Sequence, residues 1–214
     1  MRRRALLALV AALALVVPAA AAAPGPGAAF EQILAAAKAG NSAAVWSSLT
    51  AATRAHYRSA SAFAASPAGA EFAAAARRPH RALVDEPFPS GGAVVAVTTS
   101  GAPYAGAMLR EGGRWKLEFD PGVLVEPIAP RSGSVNAKVF QVAAQAMLAD
   151  PVDTGAFYLD GKALDFRGAA VNGGRTVTLY ANLPKGVARG RHTLVAYARS
   201  GAHAGALAWA FTVR

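Results

Sequence analysis

The sequence predicts an α+β segment, with helices lying on an antiparallel sheet, followed by an all-β segment folded as a sandwich. Three observations predict it. Apolar residues recur at helical spacing up to about residue 76 and then change to a period of two. Residues 126–134 concentrate Pro127, Pro130 and Ser132-Gly133-Ser134, the composition of a short linker or a leading edge strand. Beyond them, short apolar runs separated by turn dipeptides recur at nearly regular spacing, as in a sandwich.

Ahead of both segments lies a pattern for export. Arg2, Arg3 and Arg4 form a positive head, residues 5–17 an apolar run, and Pro18 precedes the small residues 19–23 with A-x-A spacing. Residues 1–23 therefore read as a removable secretory signal peptide, and the mature chain is expected to be secreted or to work in the periplasm or cell envelope. An uncleaved anchor is the alternative. A spanning helix needs about 20 apolar residues, and Pro18, Pro24 and Pro26 interrupt any extension, so no stable membrane span is expected after cleavage.

The first half, 28–121, begins with Phe30, Ile33, Leu34 and Ala37 on one helical face, which Gly40 ends in a left-handed conformation. Asn41 or Ser42 caps a second helix, whose buried stripe is Val45, Trp46, Leu49 and Thr53, with Tyr57 continuing it. A third, alanine-rich helix covers about 63–76, broken near Pro67, and the Arg77, Arg78, Pro79, His80, Arg81 cluster ends the helical part. Strands come next at 93–98, 105–109 and 115–119, the last two flanking the hairpin loop Glu111-Gly112-Gly113. On that last strand Leu117 and Phe119 share one face, Lys116 and Glu118 the other.

Residues 122–134 read as the joint, and 135–214 as the sandwich. The run 138–148 also satisfies a helix by composition and is read as a strand because the rest of the chain, from 156 to the end, has strand character. Asp160-Gly161 and Asn172-Gly173 mark turns, 176–181 and 192–198 alternate, and 208–213 closes the sheet with Trp209, Phe211 and Val213 on its inner face. The length left after export, about 190 residues, fits two domains of about 90 to 100, although one mixed domain of that size is also possible.

Two resemblances rest on these residues. Residues 28–121, through the helix with Phe30 and Ile33, "AGNSAAVWSSLTAATR" and the "AMLREGGRWKLEF" hairpin, resemble the NTF2-like (cystatin-like cone) superfamily as found in secreted bacterial proteins. That resemblance implies a cone with an apolar pocket, in which enzymatic members place an Asp, His or Tyr. Residues 128–214, through "FYLDGKAL", "LPKGVARGRHTLVAYARSG" and "AWAFTV", resemble bacterial Ig-like domains of the E-set or Big type. Arg199-Ser200 stands where many such domains carry an acid, so the calcium sites of some relatives are not expected.

Composition narrows the function. The absence of cysteine removes disulfides, thiolate catalysis and Cys-based zinc sites together. Three of the +10 formal charges are Arg2 to Arg4, so the exported part carries +7 (10 − 3), which suits anionic envelope polymers as well as simple solubility. No G-x-S-x-G, H-E-x-x-H, P-loop, dinucleotide or calcium-loop pattern occurs, so no cofactor and no metal are expected. Trp46, His56, Tyr57 and Trp115 are the candidate pocket residues; for the aromatics core packing is the competing reading, and for His56 a solvated helix position. Arg77, Arg78 and Arg81 are the candidate anion-binding group, set against a solvated run complementing a helix C-terminus. No acid is evident on the face of His56 and Tyr57. The expected function is a non-enzymatic, secreted or envelope-associated interaction module, bacterial in style, that binds an envelope polymer or a protein. The alternative is a small-molecule binder, less readily an enzyme, using an apolar pocket. Nucleic acid is not an expected partner, because basic residues are spread over both halves without a stacking platform.

Overall fold

The computed structural model describes residues 23–119, 122–136 and 138–214. The export segment, apart from Ala23, lies outside them. Five short helices come first: α1 (Pro26–Lys38), α2 (Ser42–Ser47), α3 (Ala51–Tyr57), α4 (Ala60–Ala65) and α5 (Pro67–Arg77). The expected face of α1 is buried at Phe30, Ile33 and Leu34, and Gly40 takes φ 71° just past its end. The Asp85 carboxylate, brought in by a later strand, accepts from the Gly27 N–H at 2.9 Å and ties the start of α1 to the sheet. Asn41 caps α2 as expected, accepting from the Ala44 N–H at 3.0 Å.

The single second helix expected from the sequence is two. Backbone bonds from Thr50 N–H to the Leu117 carbonyl, and from Leu117 N–H to the Ser48 carbonyl, pull the chain out of helix after α2; the Thr50 side chain then caps α3. Ser66 and Pro67 divide α4 from α5, where the break was expected.

An antiparallel meander comes next: β1 (His80–Pro87), β2 (Gly92–Thr99), β3 (Tyr104–Glu111) and β4 (Arg114–Glu118), in that spatial order. The chain from His80 onward, expected to end the helical part, is thus already strand. The β3–β4 turn is Gly112-Gly113, with φ of 57° and 77° and Glu111 opposite Arg114, the geometry a two-residue hairpin loop requires.

The remaining strands are β5 (Leu124–Ala129), β6 (Gly133–Val135), β7 (Gln141–Met147), β8 (Thr154–Leu159), β9 (Lys162–Ala163), β10 (Arg167–Val171), β11 (Thr176–Asn182), β12 (Gly190–Ser200) and β13 (His203–Val213). They form two sheets, β10-β11-β7-β5 and β6-β13-β12-β8-β9, facing each other across a core of Phe157, Leu179, Leu194, Trp209 and Phe211, which is a β-sandwich. The run 138–148 is strand, and Trp209, Phe211 and Val213 point inward together. The segment 122–134 is not a bare linker but holds β5 and β6, which pair with β7 and β13. Pro127 is accommodated because β5 is an edge strand.

Three cores stack into four layers. Helices cover one face of the β1–β4 sheet through Phe30, Ile33, Phe72, Val95, Met108 and Leu117. The other face of that sheet packs on the β12–β13 sheet through Val94, Ala96, Ala105, Ala107, Val195, Tyr197 and Ala204. The sandwich core lies beyond. Strands β2 and β12 are central and bury both faces, so the alternation expected over 192–198 does not survive as burial: Thr193 to Ala198 are all buried. Alanine supplies five of the eleven buried residues of the seam between the sheets, Ala96, Ala105, Ala107, Ala156 and Ala204, beside valines and two tyrosines. Small side chains let two sheets approach closely, and the alanines fill the space between the larger Val94, Val195, Tyr158 and Tyr197.

Candidate functional site

Where the seam reaches the surface it opens. A cleft of about 360 Å³ lies between Ala68 and Glu71 of α5, Tyr57 of α3, the start of β3, the end of β4, the 123–125 segment and β13. Its floor is made by Ala105, Gly106, Ala107, Ala204, Gly205 and Ala206. Residues this small leave room where the sheets diverge. Gly106 is also needed for packing: a Cβ there would stand 2.7 Å from Leu117 Cδ1 and 2.8 Å from Phe30 Cε2.

Tyr57, Tyr104 and Phe119 supply aromatic wall. They belong to a chain of rings in contact: Tyr57 to Phe63 at 5.2 Å, Phe63 to Phe119 at 4.9 Å, Phe119 to Phe72 at 5.8 Å and Phe72 to Tyr104 at 5.8 Å. Edge-on and tilted pairs of this kind hold rings in fixed orientation. Burial pushes the Tyr104 hydroxyl well above the ordinary tyrosine range, and Glu71 adds to the shift, so Tyr104 stays neutral at any physiological pH.

An acid from a different element, β4, lines the same cleft as Tyr57. Glu118, only 5% exposed, lines the cleft; its Oε2 accepts from the Thr53 hydroxyl at 3.2 Å and from the Thr50 hydroxyl, both threonines being fully buried. Phe119 N–H closes the network on Thr53 Oγ1 at 2.9 Å. The alternation on β4 is as expected, but its second face is not solvent. The Ser48–Thr50 stretch runs along the β4 edge and covers it, which no periodicity on β4 reveals.

The expected pocket residues are only partly brought together. Tyr57 lines the cleft. His56 is exposed, its ring edge-on to Tyr57 at 4.6 Å. Trp46 and Trp115 pack half-buried on the helix–sheet core, outside the cleft. The space beneath the helices is filled, since Phe30, Leu49, Phe72, Met108 and Leu117 are each at most 1% exposed.

Of the arginines, Arg77 ends α5 exposed and Arg78 comes directly after it, placing both charges at the helix C-terminus. Arg78 lies beside Gly101, where a Cβ would stand 3.1 Å from its guanidinium, and Arg191 donates to the Gly101 carbonyl. Arg81 borders a shallow depression of about 300 Å³ with His80, Thr98, Thr99 and Ser100. Arg78 and Arg81 thus flank one turn. His80 between them is bound at both nitrogens, Nε2 to Glu31 at 2.9 Å and Nδ1 to the Arg78 carbonyl at 3.0 Å, an arrangement that favours the imidazolium; the Glu31 contact, then the carbonyl, hold its pKa above 6.5. Among the described residues no group of three or more His, Cys, Asp or Glu could hold a metal ion, and no helix is long and apolar enough to cross a membrane.

No protein-family model matches the chain, and no curated protein matches it. Among solved structures, the endo-beta-1,4-mannanase from Thermotoga petrophila is similar over 45% of this chain at 10% identity and a TM-score of 0.32, and the match spans only 21% of that enzyme. PcoC, a methionine-rich copper resistance protein from Escherichia coli, is similar over 42% of this chain and 99% of its own, at 13% identity and a TM-score of 0.28. The titin M10–obscurin-like 1 Ig complex gives 43% and 93% coverage, 21% identity and a TM-score of 0.30. Likenesses at this level assign no function.

Proposed function

We propose that the chain is an exported, non-catalytic binding protein that holds its ligand in the cleft at the seam of the two sheets. The observation that carries this is the cleft itself: an opening of about 360 Å³ with aromatic wall and alanine–glycine floor, beside a helix–sheet interior that is filled. Concave, mostly apolar sites with a few placed polar groups are where ligands bind. We read the helix-covered meander as a compact NTF2-like domain and the sandwich as Ig-like, the two together forming the walls. The export pattern of residues 1–23 supports a place in the cell envelope or outside the cell. An interaction module using its outer surfaces is the second reading, supported by the +7 charge (10 − 3) of the exported part and by Arg81 beside an open depression.

The test is native mass spectrometry of protein recovered from the envelope of its own host, compared with Ala68→Trp, which places an indole at the cleft rim. A bound mass present in the wild type and lost in the variant supports the cleft. A mass retained in the variant, or a protein partner that survives it, moves the function to another surface.

A further inference from the structure

Among the described residues six strands edge the three sheets: β1, β4, β5, β6, β9 and β10. A bare edge offers a row of unpaired backbone N–H and C=O groups to any other strand, and proteins blunt their edges against this. Five of the six are blunted. β1 is bulged between Ala82 and Val84 and carries Asp85, Glu86 and Pro87; the turn at Gly161 lies against it, where a Cβ would stand 2.6 Å from the Leu83 carbonyl oxygen. The Ser48–Thr50 stretch bonds to both the N–H and the carbonyl of Leu117 and so covers β4. β5 holds Pro127 and a bulge between Pro127 and Ala129. β6 has three residues and β9 two, too short to template another strand.

β10 has none of these devices. It pairs with β11 over all of Arg167–Val171 without a shift in register, holds no proline, and is exposed at every residue, Val171 at 56%. Its one charge, Arg167, stands at one end. Among the described residues β11 is its only strand partner, which leaves its other edge open.

We propose that β10 pairs antiparallel with β10 of a second copy of this chain, about a two-fold axis at Ala169, joining two four-stranded sheets into one of eight. In that register Gly168 faces Ala170, and Arg167 faces Val171, of the other copy. No like charges stand opposite one another, and the aliphatic stem of Arg167 covers the exposed valine. The two Arg167 positions lie four residues apart along the strands, about 13 Å. A foreign extended peptide draws its specificity from pockets for alternate side chains, and Gly168, Ala169 and Ala170 form none. The same small residues admit an identical strand without a clash. Two-fold pairing consumes the open edge of both copies and closes there, as in most homo-oligomers. β10 lies at the far edge of its sheet from β5, whose Leu124 and Val125 line the cleft, so the pairing leaves the cleft open in each copy and does not depend on it.

Sedimentation velocity of the full chain from about 1 to 300 µM tests this, since an interface this small belongs to the weak class. The expected result is conversion of monomer to dimer across that range. Ala169→Lys and Ala169→Glu, at an exposed position, each set two like charges face to face at the axis and should weaken the dimer about fivefold. An equimolar mixture of the two should associate more tightly than either alone. Because the chain has no cysteine, Ala169→Cys should cross-link to its own copy under mild oxidation: opposed Cα atoms in an antiparallel pair stand about 4.5–5.5 Å apart, within disulfide reach, whereas Arg167→Cys is out of reach of itself. A wild type that stays monomeric throughout, a dimer unaffected by both charge variants, a mixture no tighter than its components, or an Ala169→Cys that cross-links no faster than Arg167→Cys overturns self-pairing through β10.

Discussion

Replacing Trp209 by alanine tests how far the sandwich and the helix-covered sheet depend on one another. Trp209 is 4% exposed, stacks on Phe157 at 6.1 Å and donates from Nε1 to the Pro130 carbonyl at 2.8 Å. Truncation of a buried tryptophan costs about 3–5 kcal/mol, and the lost hydrogen bond adds about 0.5–1.5 kcal/mol. The sum, roughly 3.5–6.5 kcal/mol, is a large part of the ~5–15 kcal/mol that stabilises an ordinary domain. With a urea m-value of about 2 kcal/mol/M, the midpoint falls by about 2 M or more. The chain has three tryptophans, and the two that remain, Trp46 and Trp115, pack on the helix–sheet core. Their fluorescence therefore reports on the first half alone, while far-UV circular dichroism reports on both. The buried seam that joins Val94, Ala96 and Ala107 to Val195, Tyr197 and Ala204 predicts that both signals shift together in Trp209→Ala. A fluorescence midpoint left at its wild-type value, with dichroism split into two transitions, would refute the coupling. If neither signal moved by more than about 1 kcal/mol, the burial argument for Trp209 itself would be wrong.

Gly92→Ala probes the seam from the other side. A Cβ there would stand 2.3 Å from the Tyr197 hydroxyl and 3.0 Å from Arg199 Cδ, so overpacking of about 1–3 kcal/mol is expected by chemical denaturation, and an unchanged midpoint would show that the sheets separate freely. Gly106→Ala should destabilise by a similar amount, about 1–3 kcal/mol, because Phe30 and Leu117 must both retreat; relief of the loss by a simultaneous Leu117→Val would confirm the clash as the cause. For His80, the folded-state pKa is raised above 6.5, so its contact with Glu31 stabilises fully below about pH 6.5 and that contribution is lost as pH rises through the raised value. Urea midpoints between pH 5.5 and 8.5 should therefore show a small downward slope that His80→Gln flattens, worth less than ~1 kcal/mol at this partly exposed pair; identical profiles would remove His80 from the account.

Local chemistry was legible in the sequence wherever one residue type answers to one backbone need. The stop at Gly40, the Asn41 cap, the break at Pro67 and the Gly112-Gly113 turn each obey that logic. So does the inward trio Trp209, Phe211 and Val213, since three large apolar side chains at a period of two have one face to share. The composition of 122–134 left linker and leading edge strand open because proline in an edge strand has the same composition as proline in a loop; the pairing of β5 with β7 makes it an edge strand. The long second helix failed because its break is imposed by Leu117, distant in sequence, through backbone bonds that leave no mark on side-chain periodicity.

The candidate site divides in the same way. By itself the sequence determined which residues are aromatic, which carry charge, and that Tyr57 lies near the end of the helix now seen as α3. Only the tertiary structure decided that Glu118 is buried against Thr50 and Thr53, because its covering comes from a separate helix junction at the sheet edge. Tertiary structure alone also decided that a cleft exists. Its floor is alanine and glycine, residues apolar enough for a core and small enough for a surface, so their spacing carries no signal of which side they face. That ambiguity is settled when two sheets meet, and here alanines lie both within the seam and along the cleft.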